Sequence, residues 1–288
     1  MKLIRMIVYI ALIIYPYFKM VGYIVLTLFA YFIALFLVAM SFGLYYGFMH
    51  ETSGMTISLE QYMSDSLMLI TVLGSLVAIF LFWLVLLLKK ENYLNFMQVK
   101  KTSPKSIFVA LLIGFGIYSF LYGALSFVNI DQVFPEYIDF ISMIIMQDSI
   151  ILTILSFGII VPIFEEIMYR GIIFNLLREN MPITAALIIQ ALIFAIMHMN
   201  MLQGIYTFVG GLIIGLAYHW TKSLWVPIII HVSWNTSSLI VYNLITEATT
   251  TAFNFAVIIA AIILITFSLL YFRQKNIKKE EAAPASSW

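Results

Sequence analysis

The stretch SFGIIVPIFEEIMYRGIIF, residues 156–174, decides how this chain is read. It is apolar enough to sit in a bilayer, yet it holds two adjacent glutamates, Glu165 and Glu166, with Arg170 one turn later. An unneutralised carboxylate at mid-bilayer costs about 3 kcal/mol on insertion scales and more in simulations. Acids kept in such a place point to function rather than packing.

Composition sets the same scene for the rest of the chain. Of 288 residues, 63% are hydrophobic and only 10% charged, and the mean hydropathy is +1.04. These values belong to an all-α polytopic membrane protein, not to a soluble domain. The absence of cysteine excludes disulfides, thiolate metal sites and a cysteine nucleophile. A net charge of +1 gives no reason to invoke a nucleic-acid partner.

Apolar segments of about 20 residues, which at ~1.5 Å per residue cross a hydrocarbon core ~30 Å thick, recur along the chain. Eight are read, at 20–48, 66–88, 107–128, 149–169, 183–198, 205–220, 225–244 and 252–272. Residues 1–19 are apolar but short and carry Pro16 and Lys19, so they read as an interfacial lead-in or an extension of the first helix. They resemble a signal peptide, but no small-residue cleavage site follows, and the segment is expected to be retained. The transmembrane domain is therefore 20–272. A polar tail at 273–288, ending KKEEAAPASSW, is expected to be disordered.

Charge alternates between connections. One set carries Lys89, Lys90, Lys100, Lys101 and Lys105, then Arg178, then Lys222, then Arg273, Lys275, Lys278 and Lys279. The other carries Glu51, Glu60 and Asp65, then Asp131, Glu136, Asp139 and Asp148, then Glu247. By the positive-inside rule, both termini and the basic loops are expected on the cytoplasmic side of the cell membrane. No connection holds a soluble domain, although residues 129–148 are suited to lie on the outer membrane surface.

Within the late spans, helical spacing orders the polar groups. Glu165 and Glu166 lie about 100° apart on a helix, so only one is expected to point squarely into a given cavity. Glu166 and Arg170 are four apart with the acid first, the better order for an ion pair, which leaves Glu165 free to act on water or bind a cation. Phe194 and His198 share a face in FAIMH, as do His231 and Asn235 in HVSWN. From the turn near residues 180–182, Glu165 and His198 are each about sixteen residues, or ~24 Å, along their helices, which sets them level. A carboxylate and an imidazole across one cavity can hold and deprotonate water, and the alternative job is metal ligation. On a further helix, His231 and Asn235 offer donors to an oxyanion. Pro162 is expected to free a backbone carbonyl and kink the span, opening room for water near the acid. Gly211 and Gly215 form a GxxxG face read as close helix packing, and His50 and His219 are read as interfacial anchors.

EEIMYR, FAIMH and HVSWN, in this order on separate late spans, resemble the EExxxR, FxxxH and HxxxN motifs of the CPBP family of intramembrane proteases, which includes type II CaaX prenyl proteases and the bacterial Abi or bacteriocin-processing proteins. The resemblance covers residues 149–244, and none of the three motifs departs from the pattern. It implies an eight-helix, type II CaaX prenyl protease-like bundle. In it Glu165 and His198 activate water, His231 and Asn235 stabilise the oxyanion, and Glu166 and Arg170 support the site. It also implies a substrate that is a membrane-embedded or lipidated peptide or protein, such as a bacteriocin or pheromone precursor. The family has been described both as metal-independent and as metal-dependent. In the second case Glu165, His198 and His231 would be the zinc ligands. Two readings from other classes stand beside this one, a non-catalytic membrane immunity or scaffold protein and a secondary transporter. A transporter would show paired halves with matching broken helices.

Overall fold

The computed structural model describes residues 2–88, 92–145, 149–244 and 250–282, so Lys89, Lys90, Asp148, Glu247 and the end of the tail lie outside the described residues. The principal helices are α1 (Lys2–Ser53), α2 (Leu67–Leu87), α3 (Pro104–Leu125), α4 (Pro135–Ile145), α5 (Ile150–Asn180), α6 (Ile183–Ile196), α7 (Met201–Thr221), α8 (Trp225–Leu244) and α9 (Thr251–Glu281). No strand occurs among the described residues. By length and composition six of these helices can cross a membrane, α1, α2, α3, α5, α7 and α9; α6 and α8 are shorter apolar helices. Together they are the eight segments read from the sequence. Side chains cap several of them: Ser103 accepts from the Ser106 amide at α3, Asn200 from Gln203 at α7, and Thr250 from Phe253 at α9.

Of the two readings of the N-terminal segment, the structure has the helix extension: residues 2–19 are the first part of α1, which runs through Pro16 without ending. Two boundaries differ from the sequence reading. Residues 273–281, assigned above to a disordered tail, continue α9. Lys275 Nζ bonds Ser103 Oγ at 3.0 Å and Ser106 Oγ at 2.8 Å, and Lys222 pairs with Glu280 at 3.7 Å, so the polar end of α9 has partners that hold it helical. Finally, α6 stops at Ile196. Its 14 residues span about 21 Å, and His198 sits in the turn beyond, next to Met199 in a left-handed conformation (φ 53°).

Between lipid-facing helices there is no hydrophobic drive to associate, so close approach through small residues matters. α8 seats itself by that means. A Cβ on Gly114 of α3 would collide with the Ile230 carbonyl oxygen of α8, and one on Gly210 of α7 would lie 2.5 Å from the Trp234 ring. α5 touches α1, α2, α6, α7 and α8 and is the axis of the bundle. Two apolar clusters flank it, one containing Phe82, Phe164, Ile173 and Phe194, the other Ile113, Ile214, Ile230 and Trp234. At one end of the bundle, residues 96–100 are strapped down. Asn175 Nδ2 donates to the Phe96 carbonyl (2.8 Å), Tyr218 Oη to Met97 (3.0 Å) and Ser223 Oγ to Lys100 (2.6 Å), which gathers several basic connections on one face.

Candidate active site

α5 is not one regular helix. Ile154–Ile160 and Ile167–Phe174 are wide π turns on either side of the α-helical Val161–Glu166. π turns of this kind recur at functional sites. Pro162 supplies a local cause, since it has no N–H to give the carbonyl four residues back in an α turn, or five back in a π turn. Those two carbonyls belong to Gly158 and Phe157, and α8 meets both. Thr236 Oγ1 donates to the Gly158 oxygen (3.3 Å) and Asn235 Nδ2 to that of Phe157 (3.0 Å). Side chains of α8 take up the carbonyls that the proline frees.

One turn later the two glutamates diverge. The Glu166 side chain is fully buried and its Oε1 accepts from Arg170 Nη1 (2.7 Å) and from His231 Nδ1 (2.8 Å). Arg170 is also fully buried; its Nη2 donates to the Gly211 carbonyl (3.2 Å) and its guanidinium lies 4.7 Å above the Phe194 ring. An ion pair out of water holds only when its members find further partners, and here hydrogen bonds and a cation–π contact supply them. Glu165 keeps 18% of its side chain exposed and places Oε2 3.6 Å from His231 Nε2, longer than a hydrogen bond. Both acids therefore address one imidazole, from its two nitrogens. Adjacent residues on a helix achieve this because His231 is edge-on between them.

Both histidines are oriented through Nδ1. His231 gives that N–H to Glu166, and His198 Nδ1 contacts the Phe194 carbonyl at 2.7 Å, which can only accept. In the neutral ring Nε2 is then the free lone pair, able to take a proton or bind a metal. Phe194 organises the pair. Its ring lies 4.8 Å from His198 and 5.7 Å from His231, edge to face in both cases.

Of the residues expected from the sequence, Glu165, Glu166, Arg170 and His231 form one connected cluster, and His198 joins it through Phe194. Asn235 sits one turn from His231 with one amide N–H given to Phe157. The imidazole directly facing Glu165 is that of His231, not of His198 as the equal spacing suggested. Zinc would need Glu165, His198 and His231 to converge, and among the described residues no three His, Asp or Glu side chains come close enough to hold an ion. Gly211 and Gly215 do pack closely, since a Cβ on Gly211 would meet Ala191 at 3.2 Å and one on Gly215 would meet Gln190 Nε2 at 2.8 Å. Sequence reasoning missed Gln190 and Thr236. Each carried a signal, a carboxamide alone in an apolar helix and a hydroxyl adjoining the HVSWN motif.

Residues 147–237 match a family model described as type II CAAX prenyl endopeptidase Rce1-like. A putative membrane peptidase, YdiL, of Bacillus subtilis (strain 168) is 36% identical over 85 residues, covering 30% of this chain and 35% of that protein. The membrane-embedded CAAX protease MroQ of Staphylococcus aureus (strain USA300) is 39% identical over 100 residues, 32% of this chain and 40% of that protein. The match thus spans well under half of either relative. No solved structure matches.

Proposed function

We infer that this chain is an intramembrane endopeptidase of the CPBP type in which Glu165 is the general base, a reading supported by the similarity of residues 147–237 to type II CAAX prenyl endopeptidases and of about a third of the chain to two bacterial membrane peptidases. One observation carries this reading. Glu165 is the accessible acid, 3.6 Å from an imidazole nitrogen, while Glu166 beside it is buried and committed to Arg170. In a site screened from water such a carboxylate can hold and deprotonate a water molecule, a step worth typically about 10²–10⁴ in rate. The proton passes to Glu165 with help from His198, and the hydroxide oxygen bonds to the scissile carbonyl carbon. The resulting oxyanion is stabilised by His231 and by the second amide N–H of Asn235. Collapse breaks the C–N bond, and the proton on Glu165 leaves with the new amine. Glu166 and Arg170 hold His231 in place. Each of these steps uses side chains of the chain alone.

The substrate is a membrane-associated peptide or protein that reaches a site inside the bilayer, a bacteriocin or pheromone precursor or a lipidated peptide. Both termini and the basic face of the bundle lie on the cytoplasmic side of the cell membrane. Comparative mass spectrometry of membrane peptides from cells carrying wild-type protein or Glu165→Gln tests the reading. A set of cleavage products lost in the variant supports it, and identical peptide profiles would sink it. Purified protein assayed with a chelator, then with zinc restored, separates metal-independent from metal-dependent hydrolysis.

A further inference from the structure

Gln190 lies in the middle of α6, fully buried, and neither the motifs nor the mechanism above uses it. Its Nε2 donates to the Leu187 carbonyl (3.0 Å) and, across the helix interface, to the Gly211 carbonyl of α7 (2.9 Å). Both acceptors are carbonyls, which fixes the amide orientation. The Gly211 carbonyl is the same one that receives Arg170 Nη2 at 3.2 Å. Glycines at 211 and 215 allow the approach, with Gly215 leaving a Cβ position only 2.8 Å from Nε2. Gln190 and Phe194 are four apart on one face of α6, and His198, in the turn beyond, is held to the Phe194 carbonyl through Nδ1 at 2.7 Å. Three buried polar atoms in this cluster, Gln190 Oε1, Arg170 Nε and Glu166 Oε2, find no hydrogen-bond partner in the protein. Polar groups held at that cost signal a constraint other than stability.

We propose that Gln190 is a positioning residue of the hydrolytic site, fixing His198 through the rotation of α6 and His231 through the Gly211 carbonyl, Arg170 and Glu166. The idea rests on the peptidase reading for its kinetic consequence but not for its geometric one. A carboxamide here links both imidazoles to a single backbone oxygen, so its loss loosens two catalytic groups together. Partners one step removed from reacting groups are commonly worth about 10–100-fold in activity.

The test compares Gln190→Met, which keeps length and apolar packing but has no N–H to give, with Ile189→Ala, a packing change on the same helix. With purified full-length protein in micelles, Gln190→Met is expected to lose about 10–100-fold in kcat with KM unchanged. Ile189→Ala is expected to lower thermal stability alone. Nitrogen-15 spectra of histidine-labelled protein give a second readout, simple because the chain has 4 histidines. The signals of His198 and His231 should both move in Gln190→Met and stay in Ile189→Ala. Wild-type kcat with wild-type imidazole signals in Gln190→Met overturns the proposal, as does an equal kcat loss in Ile189→Ala. If Gln190→Met does not fold, Gln190→Glu, which keeps the shape but replaces the donor, is judged by the same signals. Should wild-type protein cleave nothing, the peptidase reading fails while the imidazole signals still decide the role of Gln190.

Discussion

α5 and α9 are each 31 residues long and both pass through the apolar layer, yet they are built on opposite principles. α9 is an unbroken α-helix whose most apolar stretch is only 17% buried, and its charges begin at Arg273, beyond that stretch. α5 carries Glu165, Glu166 and Arg170 in its middle, is interrupted by two π turns, and packs against α1, α2, α6, α7 and α8. A helix left to lipid must satisfy its own backbone at every residue. One enclosed by protein can give up internal bonds, because neighbours return them. The irregularity of α5 is thus tolerated only where Asn235 and Thr236 stand by, and it coincides with the candidate site.

That contrast can be broken by experiment. The largest effect is expected for Arg170→Met, which strands the buried carboxylate of Glu166 and should cost about 3–5 kcal/mol of stability, read by unfolding in mixed micelles. Changes such as Ile259→Leu on the lipid side of α9, where the residue is 58% exposed, should stay within about 0.5 kcal/mol. An Arg170 variant as stable as the α9 variant would mean that the ion pair is not confined in protein. Next comes Gly210→Leu, whose new side chain meets the Trp234 ring and should cost about 1–3 kcal/mol through overpacking between α7 and α8. The smallest effect sharpens the comparison instead. Thr236→Val should cost about 0.5–1.5 kcal/mol, and less in a Pro162→Ala background, where α5 regains an N–H of its own. A double-mutant cycle with no coupling would sever the proline from the hydroxyl.

Local features of the site were legible in the sequence because they obey helical spacing. Glu166 with Arg170, and Phe194 with His198, are four apart and meet as spacing alone requires. What spacing cannot give is the rotation of one helix against another. Whether His231 or His198 faces Glu165 depends on how α8 is seated against Gly114 and Gly210, and those contacts are long-range. The π turns were hidden for a related reason. Pro162 advertises a lost hydrogen bond, but whether the helix kinks or widens depends on the donors that α8 brings. The eight spans were readable from hydropathy, and an extension of the first helix at 2–19 was among the readings, whereas the helical end at 273–281 was not. The continuation of α9 relies on lysine contacts with residues far away in the chain.

The brevity of α6 bears on the lipid around it. At 14 residues, about 21 Å, it falls some 9 Å short of a hydrocarbon layer ~30 Å thick. The chain beyond it exposes Met199 at 88% and Met201 at 74%. Such a hydrophobic mismatch is relieved by local thinning of the bilayer, at a fraction of a kcal/mol per Å. Thinning of that kind beside α6 would bring headgroups and water toward the level of His198. A membrane-tethered chain approaching from that side would have a thinner apolar layer to cross.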